Sequence, residues 1–265
     1  MGGSGNPGRP CAHGHGQRGP GALLTGRRSA GTSSLLVTQG LACGGTGSAR
    51  TSAMLDRMPS LLSHRDKELV QIVDAALADA TWRSGDWLIC QPGCTPCCIG
   101  VFAIDQLDVL RLRNGLAQLE TTDPARAKRV RERARKSIMR ISPEFPGDLQ
   151  TGLLGGDDEA AERFEKFADH EPCPALDPEH GTCDVYQWRP ITCREFGPPV
   201  QSEGGLGVCE LCYHEASPDD VAACEMKLDE ANALQAKLVS ELDKAGAKGK
   251  TIVAFALAAG AVVSG

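Results

Sequence analysis

No apolar run in this 265-residue sequence approaches the roughly 18 residues that a transmembrane helix needs. The tail "TIVAFALAAGAVVSG" comes closest, and at that length it is expected to be a buried terminal segment. Also missing are a GxGxxG turn after a strand, a Walker loop, a GxSxG elbow and an HExxH helix. Their absence excludes the commonest dinucleotide, phosphate, serine-nucleophile and zinc-hydrolase signatures. "LLGGDDEAA" does open a helix with two glycines, but no Rossmann-type strand precedes it, so it supports no nucleotide or S-adenosylmethionine pocket.

Residues 1–55 lack Asp and Glu altogether and carry five arginines and fourteen glycines, without helical or strand periodicity. This composition reads as a leader that does not fold. Its apolar stretch "LLV" is too short for the core of an export signal, so a cytoplasmic protein is expected. Met54 and Met58 are alternative start positions, and Cys11, His13, His15 and Cys43 in the leader are not expected to bind metal. The formal charge of -6 becomes -11 once the leader's five arginines are set aside. An acidic folded part argues against a general nucleic-acid binder and leaves an unidentified protein partner open.

What remains is helical. Leu69, Ile72, Val73, Ala76 and Leu77 share one face, and Ser63 with Asp66 three later reads as a capping box, predicting a helix over about 64–82. Leu107, Leu110, Leu116 and Leu119 mark a second helix, weakened by Gly115. Asp123 as N-cap and Pro124 in the first turn open a third, with Ala127, Val130, Ala134, Ile138 and Ile141 on one side and a basic face expected to be solvated. "DDEAAERFEKFAD" gives a shorter helix, and "SPDD" caps a last one running to about Lys244. Its stripe of Val221, Cys224, Leu228, Ala231, Leu234, Leu238 and Leu242 places Cys224 in the core as a small hydrophobe. No strand series alternates long enough to build a sheet. The predicted class is mainly α, with helices around irregular cysteine-rich metal-binding loops. The leader occupies 1–55, the helical cysteine domain 60–245, and a C-terminal segment, packed on the domain or partly disordered, 246–265.

Ten of the twelve cysteines fall between Cys90 and Cys224. "CQPGCTPCC" holds Cys90, Cys94, Cys97 and Cys98 in nine residues, and Pro92, Gly93 and Pro96 let that loop fold back to aim several sulfurs at one point. Four cysteines at this density are a metal signature in a chain long enough to fold without disulfides. A second group, Cys173, Cys183 and Cys193, lies in Pro- and Gly-rich fragments, followed by the Cys209–Cys212 pair of "CELC". Joining the two groups closes a loop of about 75 residues, an entropy cost that bound metal would offset. Thiolates suit zinc and iron–sulfur clusters alike. Only Cys209 and Cys212 make a clean zinc-type knuckle, whereas the irregular first loop favours a four-iron, four-sulfur cluster, with zinc as the alternative. His170, His180 and His214 are read as surface residues.

The C-x3-C-x2-CC loop and the run "CDVYQWRPITCREF", with Cys183, Tyr186, Arg189, Pro190, Cys193 and Arg194, resemble the zinc- or iron-chelating cysteine-cluster family (YkgJ-like) over about residues 85–200. A similar cysteine-rich region occurs in flagellin lysine methylases, which the resemblance connects with an iron–sulfur cluster and methyl transfer. The resemblance implicates Cys90, Cys94, Cys97, Cys98, Cys173, Cys183 and Cys193 as ligands. The expected primary set is Cys90, Cys94, one of the adjacent Cys97 and Cys98, and Cys193, with Cys209 and Cys212 less firmly tied to it. Arg189 and Arg194 are expected to offset thiolate charge or to pair with carboxylates such as Asp184 and Glu195, and Tyr186 and Trp188 to pack against the centre. The expected function is a cysteine-ligated metal centre of unassigned reaction. A structural zinc module and a redox or transferase component are the alternatives.

Overall fold

The computed structural model describes residues 48–202 and 205–258, so Cys11, His13, His15, Cys43 and the last seven residues of the tail lie outside it. Eight helices are present among the described residues: α1 (Ser48–Ser84), α2 (Gln106–Thr122), α3 (Pro124–Ile141), α4 (Asp158–Glu165), α5 (Ile191–Arg194), α6 (Pro218–Ala223), α7 (Asp229–Lys244) and α8 (Val253–Ala258). The strands are two or three residues long and pair only as four antiparallel couples. The class is mainly α, with the cysteines in loops between helices.

Periodicity explains where the core lies. On α1, Leu69, Val73 and Ala80 are fully buried, and they meet Leu238 and Leu242 of α7 together with Leu107, Ile191 and Met226. A second core joins Leu112, Leu116 and Leu119 of α2 to Ala127, Val130 and Ala134 of α3 and Val253, Ala256 and Leu257 of α8. Each large aliphatic side chain so buried contributes about 1.5–3 kcal/mol. The C-terminal apolar segment is thus enclosed: Thr251–Ile252 pairs with Ala103–Ile104, and α8 lies against α2 and α3. The caps of α3 and α6 form as their sequences imply, with Asp123 accepting from the Arg126 amide and Ser217 and Asp220 closing a capping box.

Two expectations need correction. Ser63 does not start a helix, because α1 runs through it from Ser48, inside the stretch assigned to the leader, and the Asp66 carboxylate is taken by Arg111 of α2. The helix beginning at "SPDD" does not reach Lys244 unbroken. It stops at Ala223 and restarts at Asp229, because Arg83 at the end of α1 donates to the carbonyls of Ala223 and Glu225 and the Met226 amide bonds Pro199 O. The apolar spacing continues across this break, so Cys224 is buried as expected, in a small core with Cys212, Tyr213 and Trp87. Leu110 also departs from its series: Leu112 faces the core instead, and Leu110 is exposed.

Gly115 weakens α2 for a reason the structure supplies. A Cβ there would stand 2.5 Å from Cγ of Trp188, so the glycine lets the indole lie directly on the helix. The segment carrying Cys183 and Cys193 is thereby seated on α2.

Candidate metal centre

Cys90, Cys94, Cys97 and Cys98 follow the end of α1 on two tight turns. The Cys94 amide bonds Gln91 O at 2.9 Å and the Cys98 amide bonds Thr95 O at 2.8 Å, with Pro96 opening the second turn. The second group is tied directly to this loop, since the Cys173 amide donates to Cys98 O at 2.8 Å and the Gly100 amide to Glu171 O at 2.9 Å. A hairpin pairs Leu176 with Cys183, and its Gly181 turn sits over Gly93 and Thr95. Cys193 lies on α5, whose first amide, that of Ile191, donates to the buried Asp108 carboxylate of α2. Desolvation pushes that carboxyl up to about 7 against the pull of Arg111. The Cys209–Cys212 turn is held to the same region by the Tyr213 amide, which bonds Trp87 O at 2.9 Å. None of the ten described cysteines is in a disulfide.

Burial and neighbouring charge raise several of these thiols. Cys90 is lifted to about 11 by desolvation and by the charges of Cys94, Cys97, Cys212 and Cys209. Cys193 is raised well above the ordinary thiol value by burial and by Cys173, Cys183, Asp108 and Cys97. Burial raises Cys173 to about 12, with Cys183 adding to it, and raises Cys183 itself. Cys97 is raised chiefly by a hydrogen bond with Cys98, and its charge is felt by Cys90, Cys183 and Cys193. Cys97 is thus a neighbour common to Cys90, Cys183 and Cys193.

Backbone amides oppose these upward shifts at three thiols: those of Ala175 and Leu176 at Cys173, that of Val185 at Cys183, and those of Ile89 and Cys90 at Cys212. Such donors favour the thiolate over the thiol, opposing the desolvation that raises it. Partly desolvated thiols that raise one another through mutual charge suit a bound cation, because the cation removes that repulsion. The donor set fits a thiophilic metal.

Arg189 lies beside Cys183, whose thiol it pulls down, and stacks 4.0 Å over the exposed Tyr186 ring. Arg194 is paired neither with Asp184 nor with Glu195. Its Nη1 donates to both carboxylate oxygens of Asp74 on α1, at 2.6 and 2.8 Å, and its Nη2 to Gln187 O. Trp188 packs on the α2–α3 core and Tyr186 does not. His170 and His214 are exposed. His180 is exposed too, and with Asp177 and Glu179 it forms a close trio of ligand-type atoms that is a hydrogen-bonded surface turn: Asp177 accepts from the Glu179 amide and bonds the His180 ring at 2.7 Å. Sequence reasoning missed the contacts of Arg133. It lay in the basic face expected to be solvated, yet it donates to Pro174 O at 2.9 Å and Asp184 at 2.5 Å, next to Cys173 and Cys183.

No curated protein and no solved structure matches the chain. Residues 89–213 match the family model CxxCxxCC, described as "Putative zinc- or iron-chelating domain". That span runs from the residue before Cys90 to the residue after Cys212, and the first spacing in this chain is three residues rather than the two in the family's name. Residues 89–213 are thus similar to this zinc- or iron-chelating cysteine domain, and the similarity supports metal binding by that segment.

Proposed function

We propose that the domain binds an iron–sulfur cluster through Cys97, Cys173, Cys183 and Cys193. The loop arrangement carries this reading: the Cys173 amide donates to Cys98 O at 2.8 Å and so ties the 90–98 loop to the segment holding Cys173, Cys183 and Cys193. The irregular spacing of the first loop favours an iron–sulfur cluster over a zinc knuckle. Amide donors to the sulfurs and a nearby Arg189 are the groups that tune the potential of such a cluster.

Bound there, the cluster fastens the 90–98 loop to the 173–193 segment and closes the chain between them. Iron and acid-labile sulfide, assayed on protein purified without oxygen, test the reading. Near-equal iron and sulfide, lost together in Cys183→Ser and Cys193→Ser, support it. Zinc without sulfide contradicts it.

A further inference from the structure

A cleft of about 270 Å³ opens between α2, the 147–154 hairpin and α8, and none of its lining residues is a cysteine. Its walls are fixed by backbone contacts. The Leu154 amide bonds Lys250 O at 2.9 Å and the Thr251 hydroxyl donates to Gly152 O, which pins the hairpin to the strand leading into α8. Gly152 turns there with φ +71°, and a Cβ on it would stand 2.5 Å from the Phe255 ring, so glycine lets the hairpin close this near to α8. Val109 and Arg113, four apart on one face of α2, form a further wall.

The lining is chemically divided. Val109, Leu153, Phe255 and Ala256 make it apolar, whereas Arg113 and Gln150 are exposed at it. Among the described residues Arg113 makes no hydrogen bond or ion pair. Arg111, two residues earlier, is by contrast held by Asp66 and Asp108. The acid of the hairpin turn, Asp148, is already engaged by the Gln150 amide and the Thr151 hydroxyl. Ligand pockets combine an apolar lining with a few polar groups that fix orientation, and a free guanidinium offers two parallel donors to a carboxylate.

We propose that this cleft binds a small organic acid, its apolar body against Val109, Leu153 and Phe255 and its carboxylate on Arg113. The volume lies just below the range of about 300–1,000 Å³ that holds drug-sized ligands, which sets the body at about one aromatic ring. The site is separate from the cysteine loops, so it stands or falls apart from the iron–sulfur reading.

Benzoate is the probe, with benzamide as its uncharged counterpart and inorganic phosphate as an anion without an apolar body. Ligand-observed saturation-transfer NMR on the full chain, at constant ionic strength, should show benzoate binding about five- to tenfold more tightly than benzamide and not displaced by phosphate. Arg113→Gln should remove that preference. Arg113 is exposed, so the substitution leaves the core intact. Arg129→Gln, at an exposed arginine of α3 outside the cleft, should leave the preference unchanged. No benzoate signal at about 10 mM, equal binding of benzoate and benzamide, displacement by phosphate, or a preference that survives Arg113→Gln overturns the proposal.

Discussion

Arg194 of the Cys193 turn and Asp74 of α1 form a two-point ion pair, with Nη1 at 2.6 and 2.8 Å from the two carboxylate oxygens. Arg194 is almost wholly buried, whereas Asp74 keeps 46% of its side chain in water. Two helices far apart in sequence are thereby joined one residue from a candidate ligand.

Removing Asp74 strands a guanidinium whose Nε already has no partner. Fully buried pairs cost about 3–5 kcal/mol when one member is deleted, and with Asp74 half in water Asp74→Ala is expected to cost about 2–3 kcal/mol. Urea unfolding measures it. Arg194→Met, which removes the buried charge itself, is expected to cost less than Asp74→Ala.

Gly115→Ala should destabilise although alanine is the better helix former by about 1 kcal/mol. The new methyl would meet the Trp188 ring at 2.5 Å, and overpacking of this kind costs about 1–3 kcal/mol. The strain should vanish in the Trp188→Ala background. A double-mutant cycle by thermal unfolding reads the coupling, and Trp188 fluorescence should shift in the single variant.

Arg133→Met frees the loop between Cys173 and Cys183 from α3 without touching a sulfur. Residues that orient ligands typically carry ten- to a hundredfold in metal affinity. A fall of that size in competition with a chelator, with an unchanged far-ultraviolet helical signal, is expected. Unchanged affinity would reduce Arg133 to an ordinary surface pairing.

Cys224→Ala is expected to leave metal content intact and lower stability by about 1 kcal/mol, the loss of a small buried side chain. Its sulfur sits 3.5 Å from Arg83 O inside the Trp87–Tyr213 core. Elemental analysis and urea unfolding of the same preparation separate the two effects.

The helices were legible where a cap and a period agree. Asp123, Pro124 and the Ala127–Ile141 face mark α3, and the buried residues follow that face. They were not legible where a distant partner overrules a local signal. Ser63 and Asp66 make a sound capping pattern, but Arg111 claims the acid; Val221, Cys224 and Leu228 keep the helical period, but Arg83 and Pro199 take the backbone groups between α6 and α7. The same limit applies at the cysteines. Their number and density pointed to metal binding, which the similarity of residues 89–213 to a zinc- or iron-chelating domain supports. Which segments carry them together did not show, because that depends on Tyr213 meeting Trp87 and on Cys173 meeting Cys98, contacts between segments that share no local periodicity. The basic face of α3 misled for a similar reason: the carboxylates that neutralise Arg131, Arg133 and Arg140 come from Glu120, Asp184 and Glu171, each on another element.

The central proposal is that thiolates of this domain hold an iron–sulfur cluster. Iron and acid-labile sulfide, measured with the absorption spectrum on the anaerobically purified full chain, test it most directly. The account predicts near-equal iron and sulfide with broad thiolate-to-iron absorption near ~400 nm, bleached by a reductant. Colourless protein carrying zinc and no sulfide would contradict it.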